Sequence, residues 1–305
     1  MELKREDFAL VGLSAGESET LSGKPMTYLQ DAWRRFKKNK LALAAAILLL
    51  LIVLFTLLVP LLSPYDFAAQ DVINRNQSPS AQHWFGTDTL GRDLLVRVAV
   101  GGRVSIAIGI CGALIVAVAG CIYGGLAAYF GGAVDMFMMR IVDILSSVPN
   151  LLLVILLSVV LESSSIGTLL FAMTVTSWCP VARLVRAQML QISRSEYVMA
   201  ARLMGVSPLN IVARHFIPNT ISIIIVNITF RIPGFIFNEA FLSYVGLGVA
   251  APNTSWGALA SAAQTNLLFY PYQMFFPALM IALTTLSFTL MGDGLRDALD
   301  PRLRR

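Results

Sequence analysis

The chain has 305 residues, of which 56% are hydrophobic and only 13% charged. Its mean hydropathy of +0.71 excludes an ordinary soluble domain, so the composition predicts an integral membrane protein. The formal net charge of +5 does not indicate nucleic-acid binding, because in a membrane chain the distribution of basic residues over the loops carries the information. We therefore expect the protein to lie in a lipid bilayer and to bind no nucleic acid.

A basic stretch before the first apolar segment predicts an amphipathic helix. In the sequence TYLQDAWRRFKKNK, Leu29, Trp33 and Phe36 share one helical face and basic side chains occupy most of the other. We expect this helix to lie in the cytoplasmic interface of a membrane, with a solvated basic linker as the alternative. The long charged leader has no small-residue cleavage site, which favours a retained first span over a removable signal peptide.

Six apolar segments follow, and each is interpreted as a transmembrane helix because a hydrocarbon core of roughly 30 Å requires about 20 helical residues. They lie at 41–62, about 104–128, 143–161, 166–180, 219–244 and 272–292. The predicted fold is therefore an all-α integral membrane protein with six transmembrane helices. Its expected parts are an N-terminal segment (1–40), a first span with an extracytoplasmic segment (41–100), a transmembrane domain (101–292) and a C-terminal tail (293–305).

The basic residues predict the orientation of these spans. Of the 23 Lys and Arg residues, eighteen lie in the terminal segments and in the connections that share their side. Four lie on the other side, namely Arg75, Arg92, Arg97 and Arg103. By the positive-inside rule, both termini of this multi-pass cell-membrane protein are expected in the cytoplasm.

The sequence offers no constellation for catalysis. His83 and His215 fall on opposite sides of the predicted membrane, which argues against a shared metal site or a histidine relay. Gly23-Lys24 lacks the upstream glycine of a phosphate-binding loop. The three cysteines lie within or beside apolar runs as packing residues, namely Cys111, Cys121 and Cys179. We expect no enzyme activity and no bound cofactor or metal, so another chain must supply energy for uphill transport.

A polar insert at 195–219, SEYVMAARLMGVSPLNIVARHFIPN, interrupts the apolar segments. Ser193 and Glu196 form a capping-box pattern, which predicts a helix from about 194 to 204. Gly205 is expected to end this helix, since glycine readily adopts the left-handed conformation found after helix ends.

A second helix is predicted to follow within the insert. Ser207 can cap it, Pro208 suits its first position, and Pro218 marks its end. This helix is expected to carry Ile211, Val212, His215 and Phe216.

Ala200, Ala201 and Gly205 are expected to form a small-residue face on the insert. Two capped helices are more than a connection between spans requires. The insert is therefore predicted to be a docking surface, with a simple cytoplasmic hairpin as the alternative.

The insert resembles the cytoplasmic "EAA" loop of membrane subunits in binding-protein-dependent ABC importers. The matching positions are Met199-Ala200-Ala201, Gly205, Ile211 and Pro218. Met199 stands where the family has glutamate, so any ion pair that the family makes there is lost. Glu196, one helical turn upstream, is expected to cover part of that role.

Other stretches resemble the C-type permease subunit of the oligopeptide and dipeptide ABC importers. They are WRRFKKNKLAL before the first span, HWFGTDTLGRD at 83–93, YFGGAVDMFMMRIVDILSSVPNLLL at 129–153, FLSYVGLGVAAPNTSWG at 241–257 and GDGLRDALDPRLR at 292–304. GTDTLGRD together with GDGLRDALDP distinguishes this subfamily from other ABC permeases. The resemblance covers almost the whole chain after position 28.

The resemblance implies a type I importer fold and a set of partners. These would be a homologous second permease subunit, two ATPase subunits that bind ATP and Mg, and an extracytoplasmic binding protein that delivers peptide. The EAA loop would act as a coupling helix on one ATPase. A related importer for nickel or another small solute remains an alternative, and a secondary transporter is a more distant one.

Charged residues inside or beside the spans give further candidate sites. Arg231 and Glu239 lie in the fifth span on what the spacing predicts to be nearly the same face, too far apart for direct pairing. Charges there usually face water or the bundle interior. Arg231 is therefore a candidate residue of the translocation path, with satisfaction by a neighbouring helix as the alternative. Glu239 is a candidate for packing or for an outer gate.

The loops that flank the second and third spans carry the remaining candidates. Asp88, Arg92 and Asp93 precede the second span, where they would tie down the loop or contact the binding protein. Near the third span, local helix-end pairing is expected. It would involve Asp135, Arg140 and Asp143.

Overall fold

The computed structural model describes residues 28–161 and 165–300, and this part of the chain forms helices without extended strands. The predictions for residues 1–27 and for residues 301–305, which include the last four residues of the C-terminal motif, lie outside the described residues. The helices are α1 (Tyr28–Lys38), α2 (Lys40–Leu62), α3 (Leu94–Phe130), α4 (Gly132–Ser147), α5 (Asn150–Val160), α6 (Ile166–Thr174), α7 (Cys179–Ile192), α8 (Glu196–Leu203), α9 (Pro208–Ile211), α10 (Ile217–Tyr244), α11 (Trp256–Gln264) and α12 (Tyr272–Leu299).

Four continuous helical segments are long and apolar enough to cross a membrane. They are α2, α3, the segment from α9 through α10, and α12. Two further spans are obtained if each pair of bent helices is counted as one span. The bend between α4 and α5 is 77°, and the bend between α6 and α7 is 51°. The prediction of six spans is confirmed on that count, but the third and fourth are broken helices rather than the continuous ones expected at 143–161 and 166–180.

Local sequence explains both breaks. Pro149 holds Val148 in an extended conformation (φ −86°, ψ 129°), because a residue before proline is sterically kept out of the helical region. In the other pair, the Ser177 hydroxyl donates to the Met173 carbonyl at 2.6 Å. The Trp178 indole N–H donates to the Val175 carbonyl at 2.7 Å. These side chains bond to carbonyls at the end of α6, where the chain turns before α7 begins.

Helix α3 is the centre of the bundle and packs against α2, α7, α10 and α11. Two of its glycines allow α7 to approach closely. A Cβ on Gly120 would lie 2.6 Å from Val181 Cβ, and one on Gly124 would lie 2.3 Å from the Ala182 carbonyl oxygen. This Gly-x-x-x-Gly spacing therefore lets α3 and α7 pack closely.

The basic segment before the first span forms helix α1, as predicted, but its aromatic residues face different surroundings. Phe36 is buried against α2 and α12, where it packs with Ala42 and Ala298. Trp33 is 55% exposed, although its ring stacks on that of Phe36. Of these two rings on the predicted apolar face, only Trp33 is left exposed, because the end of α12 covers Phe36. The prediction for the Leu29 side chain lies outside the described side chains.

Candidate functional site

The first helix of the insert, α8, begins at Glu196, two residues later than the predicted start at about 194. Its N-cap is Ser195, which makes no capping bond with its side chain. Ser193 instead donates to the Leu190 carbonyl at 2.9 Å, and Ser195 donates to the Ile192 carbonyl at 2.7 Å. The predicted capping box is wrong, because both hydroxyls bond back to the end of α7.

The turn between the two helices of the insert follows the prediction. Gly205 has φ +74°, and its N–H bonds to the Arg202 carbonyl at 3.0 Å. Pro208 occupies the first turn of α9, and Ser207 accepts the Asn210 N–H at 3.4 Å. Glycine here is needed for the positive φ, which strains a residue with a side chain.

The second helix of the insert does not end at Pro218. One turn of π-helix, Val212–Phe216, joins α9 to α10, and the Ile217 N–H bonds to the Val212 carbonyl. The wider turn admits proline, whose ring otherwise clashes with a carbonyl four residues before it in a regular helix. The helical segment is therefore continuous from Pro208 to Tyr244, so the second half of the insert is the start of the fifth span.

Burial divides the predicted small-residue face of the insert. Ala201 is buried, as are Val198 and Ile211 beneath it, whereas Ala200 and Gly205 are exposed. The prediction of one shared small face is wrong for Ala201, which packs into the core. The exposed surface carries large apolar side chains instead, with these exposed fractions: Met199 57%, Leu203 84%, Met204 75% and Leu209 59%.

Polar side chains of the insert include Glu196, which is exposed. His215 is half-buried, with its ring 5.9 Å from that of Tyr197. Arg202 places its guanidinium over the Tyr129 ring at 4.4 Å and donates to the Tyr129 carbonyl at 2.8 Å. This contact fastens α8 to the end of α3.

Arg231 lies in the middle of α10 and bonds to neutral acceptors. Its Nε donates to Asn227 Oδ1 at 3.0 Å, and a terminal nitrogen donates to the Ser177 carbonyl at 3.3 Å. Among the described residues, the ion pairs do not include Arg231. The Arg231 residue as a whole is half-buried.

Glu239 is fully buried between α3, α10 and α11. Ser105 donates to Oε2 at 2.9 Å and Ser243 donates to Oε1 at 2.7 Å. Eight residues turn about 80° around a helix, and the structure places Arg231 and Glu239 in different surroundings. The expectation that they share a face is therefore wrong.

The candidates before the second span organise their own loop. Asp88 Oδ2 accepts from Arg92 Nε at 2.7 Å and lies 3.4 Å from Arg97 Nε. Asp93 caps α3 by accepting the Val96 N–H at 2.9 Å. Its other oxygen lies 2.9 Å from His83 Nδ1. These contacts are of the kind that the loop-structure interpretation expects.

The charged residues near the third span pair with α7 and not with one another. Asp135 accepts two bonds from Arg186, and Asp143 pairs with Arg183 at 2.8 Å. The expected local pairing is wrong, because α4 lies beside α7 and brings partners from distant positions together. Arg140 is exposed.

One polar contact between the two broken spans was not predicted from the sequence. Asn150, the first residue of α5, donates from Nδ2 to Thr176 Oγ1 at 2.7 Å and to Ser177 Oγ at 3.2 Å. The signal available in the sequence was an amide directly after Val148-Pro149 within an apolar run. Arg231 bonds to the carbonyl of the same Ser177, so α10 meets both breaks at one polar cluster.

Apolar spans, two of them broken, together with a helical insert that continues into the fifth, define a multi-pass membrane protein. Two family models match the chain. One is described as "Binding-protein-dependent transport system inner membrane component" and covers residues 100–305. The other, "N-terminal TM domain of oligopeptide transport permease C", covers residues 27–79. Since the first model covers more than half of the sequence, the chain belongs to the inner membrane components of binding-protein-dependent transport systems.

Curated relatives match over nearly their whole length. The oligopeptide transport system permease protein OppC of Bacillus subtilis is 45% identical over 98% of this chain and 97% of the relative. The dipeptide transport system permease protein DppC of the same organism is 46% identical over 95% and 90%. The glutathione transport system permease protein GsiD of Escherichia coli O6 is 41% identical over 90% of each. The chain therefore has the type I importer fold and is a multi-pass inner-membrane permease subunit, a class of protein that is not itself an enzyme.

Proposed function

We propose that this protein forms half of the translocation path of an ATP-driven importer for oligopeptides or dipeptides. The observation that carries the proposal is similarity over almost the whole chain to relatives named for oligopeptide and dipeptide transport. The relative named for glutathione transport is consistent with a cargo of short peptides. Nickel or another small solute is the alternative cargo for the same machinery.

The proposed assembly contains a homologous second permease subunit, two ATPase subunits and an extracytoplasmic peptide-binding protein. ATP and Mg would be bound by the ATPases. Both termini and the insert would be cytoplasmic, because basic residues are concentrated in the segments that share their side.

The insert is the proposed contact with an ATPase. Its exposed surface presents Met199, Leu203 and Leu209 although it lies outside the apolar core of the bundle. Large apolar side chains clustered in this way are typical of protein interaction sites. Because α9 continues into α10 through the π-helical turn, displacement of the insert by ATPase closure would move the fifth span. The pore would thereby alternate between inward and outward access.

The remaining candidates receive separate roles in this proposal. Arg231 would border the translocation path, since its charge lies mid-span and is half-exposed. Glu239 would hold α11 against α3 near the outer end of the path, since it is fully buried there. Asp88, Arg92 and Asp93 would shape the loop that the binding protein approaches.

The proposal is tested by affinity purification of the chain from detergent-solubilised membranes, followed by uptake assays in proteoliposomes. We expect a second permease and ATPases in the purified complex, and uptake of short peptides that requires both ATP and the binding protein. Recovery of the chain without those partners would overturn the proposal. Uptake driven by an ion gradient without ATP would favour a secondary transporter instead.

A further inference from the structure

A polar stripe runs along the exposed side of α10. It consists of Asn227, Arg231, Gly234 and Asn238, which repeat at intervals of three and four residues and so lie within roughly 60° of one another around the helix. None of the four is buried. The stripe extends about 16 Å along the helix axis and includes the middle of α10, where a spanning helix is farthest from water.

The opposite side of α10 differs from the stripe in its burial. Ile232, Ile236 and Glu239 are buried there against the rest of the bundle. The stripe is thus on the side of α10 that the described part of the chain covers least. A lipid-facing position is unfavourable for it, because a charged arginine is costly to place in the middle of a membrane. Either water or another molecule must therefore cover it.

The chemistry of the stripe matches the end of a peptide. Arg231 is held by Asn227 Oδ1 and by the Ser177 carbonyl, and both acceptors are neutral, so its charge is not compensated by a carboxylate among the described residues. Asn238 offers an amide donor and acceptor that fit a peptide group. Gly234 leaves open space beside them, since a Cβ placed there would meet no atom within 4 Å.

We propose that this stripe binds the terminal carboxylate and adjoining main chain of the peptide as it passes through the path. Arg231 pairs with the carboxylate, the two asparagines bond to peptide groups, and Gly234 admits the peptide backbone. Contact with main-chain atoms is independent of peptide sequence, which suits a carrier of varied peptides. A single charged contact also stays weak enough for release. This inference rests on the proposed function and assigns it a substrate chemistry.

The test compares uptake of Ala-Ala-Ala with uptake of its C-terminal amide by the complete importer in proteoliposomes. Arg231→Gln is expected to lower uptake of the free acid by about tenfold relative to wild type, as the loss of a charge-assisted bond predicts. Uptake of the amide should stay unchanged. Arg231→Lys should retain part of the preference for the acid, and the exposed control Arg140→Gln should change neither peptide.

A purely structural role of Arg231 gives a different result, because both peptides would then be affected by the same factor, and that outcome would overturn the inference. If Arg231→Gln left uptake of both peptides at the wild-type level, the inference would also be wrong while the proposed function stood. If the wild-type complex carried neither peptide, the proposed function itself would fail.

Cysteine labelling provides a second measurement that is independent of the binding protein's own preference for free acids. In a Cys111→Ser background, Gly234→Cys and Asn238→Cys are expected to react with a charged, water-soluble thiol reagent in at least one nucleotide state. Leu50→Cys, at an exposed apolar position of α2, serves as the lipid-facing control and should not react. Absence of labelling at both stripe positions in every nucleotide state would show that the stripe does not face a water-filled path, which overturns the inference.

Discussion

Asn150 Nδ2 lies 2.7 Å from Thr176 Oγ1, so a single amide joins the points at which the third and fourth spans break. Broken helices leave backbone groups without helical partners, which membrane proteins tolerate only where other polar groups approach. Asn150 bonds to Ser177 as well, and Arg231 reaches that residue from the fifth span. Three spans therefore meet at one polar cluster.

Removal of this amide should loosen the junction. Asn150→Ala deletes both side-chain bonds, and we expect a loss of about 1–2 kcal/mol in the stability of the solubilised protein. Peptide uptake is expected to fall as well, because the broken spans lose their fixed relation. Thermal melting and uptake assays check this. Ser147→Ala is the matched control, since the exposed Ser147 bonds only within its own helix, and equal melting of the two variants would contradict the role given to Asn150.

The contact between α3 and α7 depends on the absence of a side chain at Gly124. Gly124→Val would place a Cβ 2.3 Å from the Ala182 carbonyl oxygen, and backbone atoms cannot move aside as a flexible side chain can. We expect the variant to misfold or to be degraded, as measured by its yield in membranes. Gly167→Val is the control because Gly167 has no close neighbour. Normal yield of the Gly124 variant would show that the helices can separate without cost.

The sequence correctly predicted the helices and turns that depend only on residues close together in the chain. The first span was given by an uninterrupted apolar run, and the turn of the insert by Gly205, Ser207 and Pro208. Apolar content alone does not reveal a bend, so the breaks near Pro149 and Ser177 were missed even though a proline marks the first.

Other features depend on contacts between distant segments and could not be predicted from the sequence. Asp135 finds Arg186 only because α4 and α7 lie side by side. Pro218 looked like a helix end, but a π-helical turn accommodates it. Ser193 matched a capping pattern, yet α7 extends far enough for its hydroxyl to bond to the preceding turn.

Glu239 should stabilise the packing of α3, α10 and α11 through its serine partners. Glu239→Ala leaves the Ser105 and Ser243 hydroxyls without their acceptor and opens a cavity, so we expect a loss of about 2–4 kcal/mol. Glu239→Gln keeps one acceptor oxygen and the side-chain shape, and about 1 kcal/mol is expected. Melting temperatures of the solubilised complex give the comparison, with the exposed Arg140→Ala as control. If the alanine variant melted at the same temperature as wild type, Glu239 would not stabilise the packing of these helices.

The exposed apolar surface of the insert gives the last prediction. Leu203 is 84% exposed, so Leu203→Ser should leave the fold intact while weakening ATPase docking about tenfold, since burial of a leucine contributes roughly 1.5–3 kcal/mol. Co-purified ATPase and the coupling of ATP hydrolysis to uptake are the measurements. Leu268→Ser is the matched control, because Leu268 is 94% exposed but lies in the connection between α11 and α12. If both variants retained wild-type amounts of ATPase, the docking surface would have to lie elsewhere than on α8. If both lost ATPase equally, the effect would not be specific to the insert.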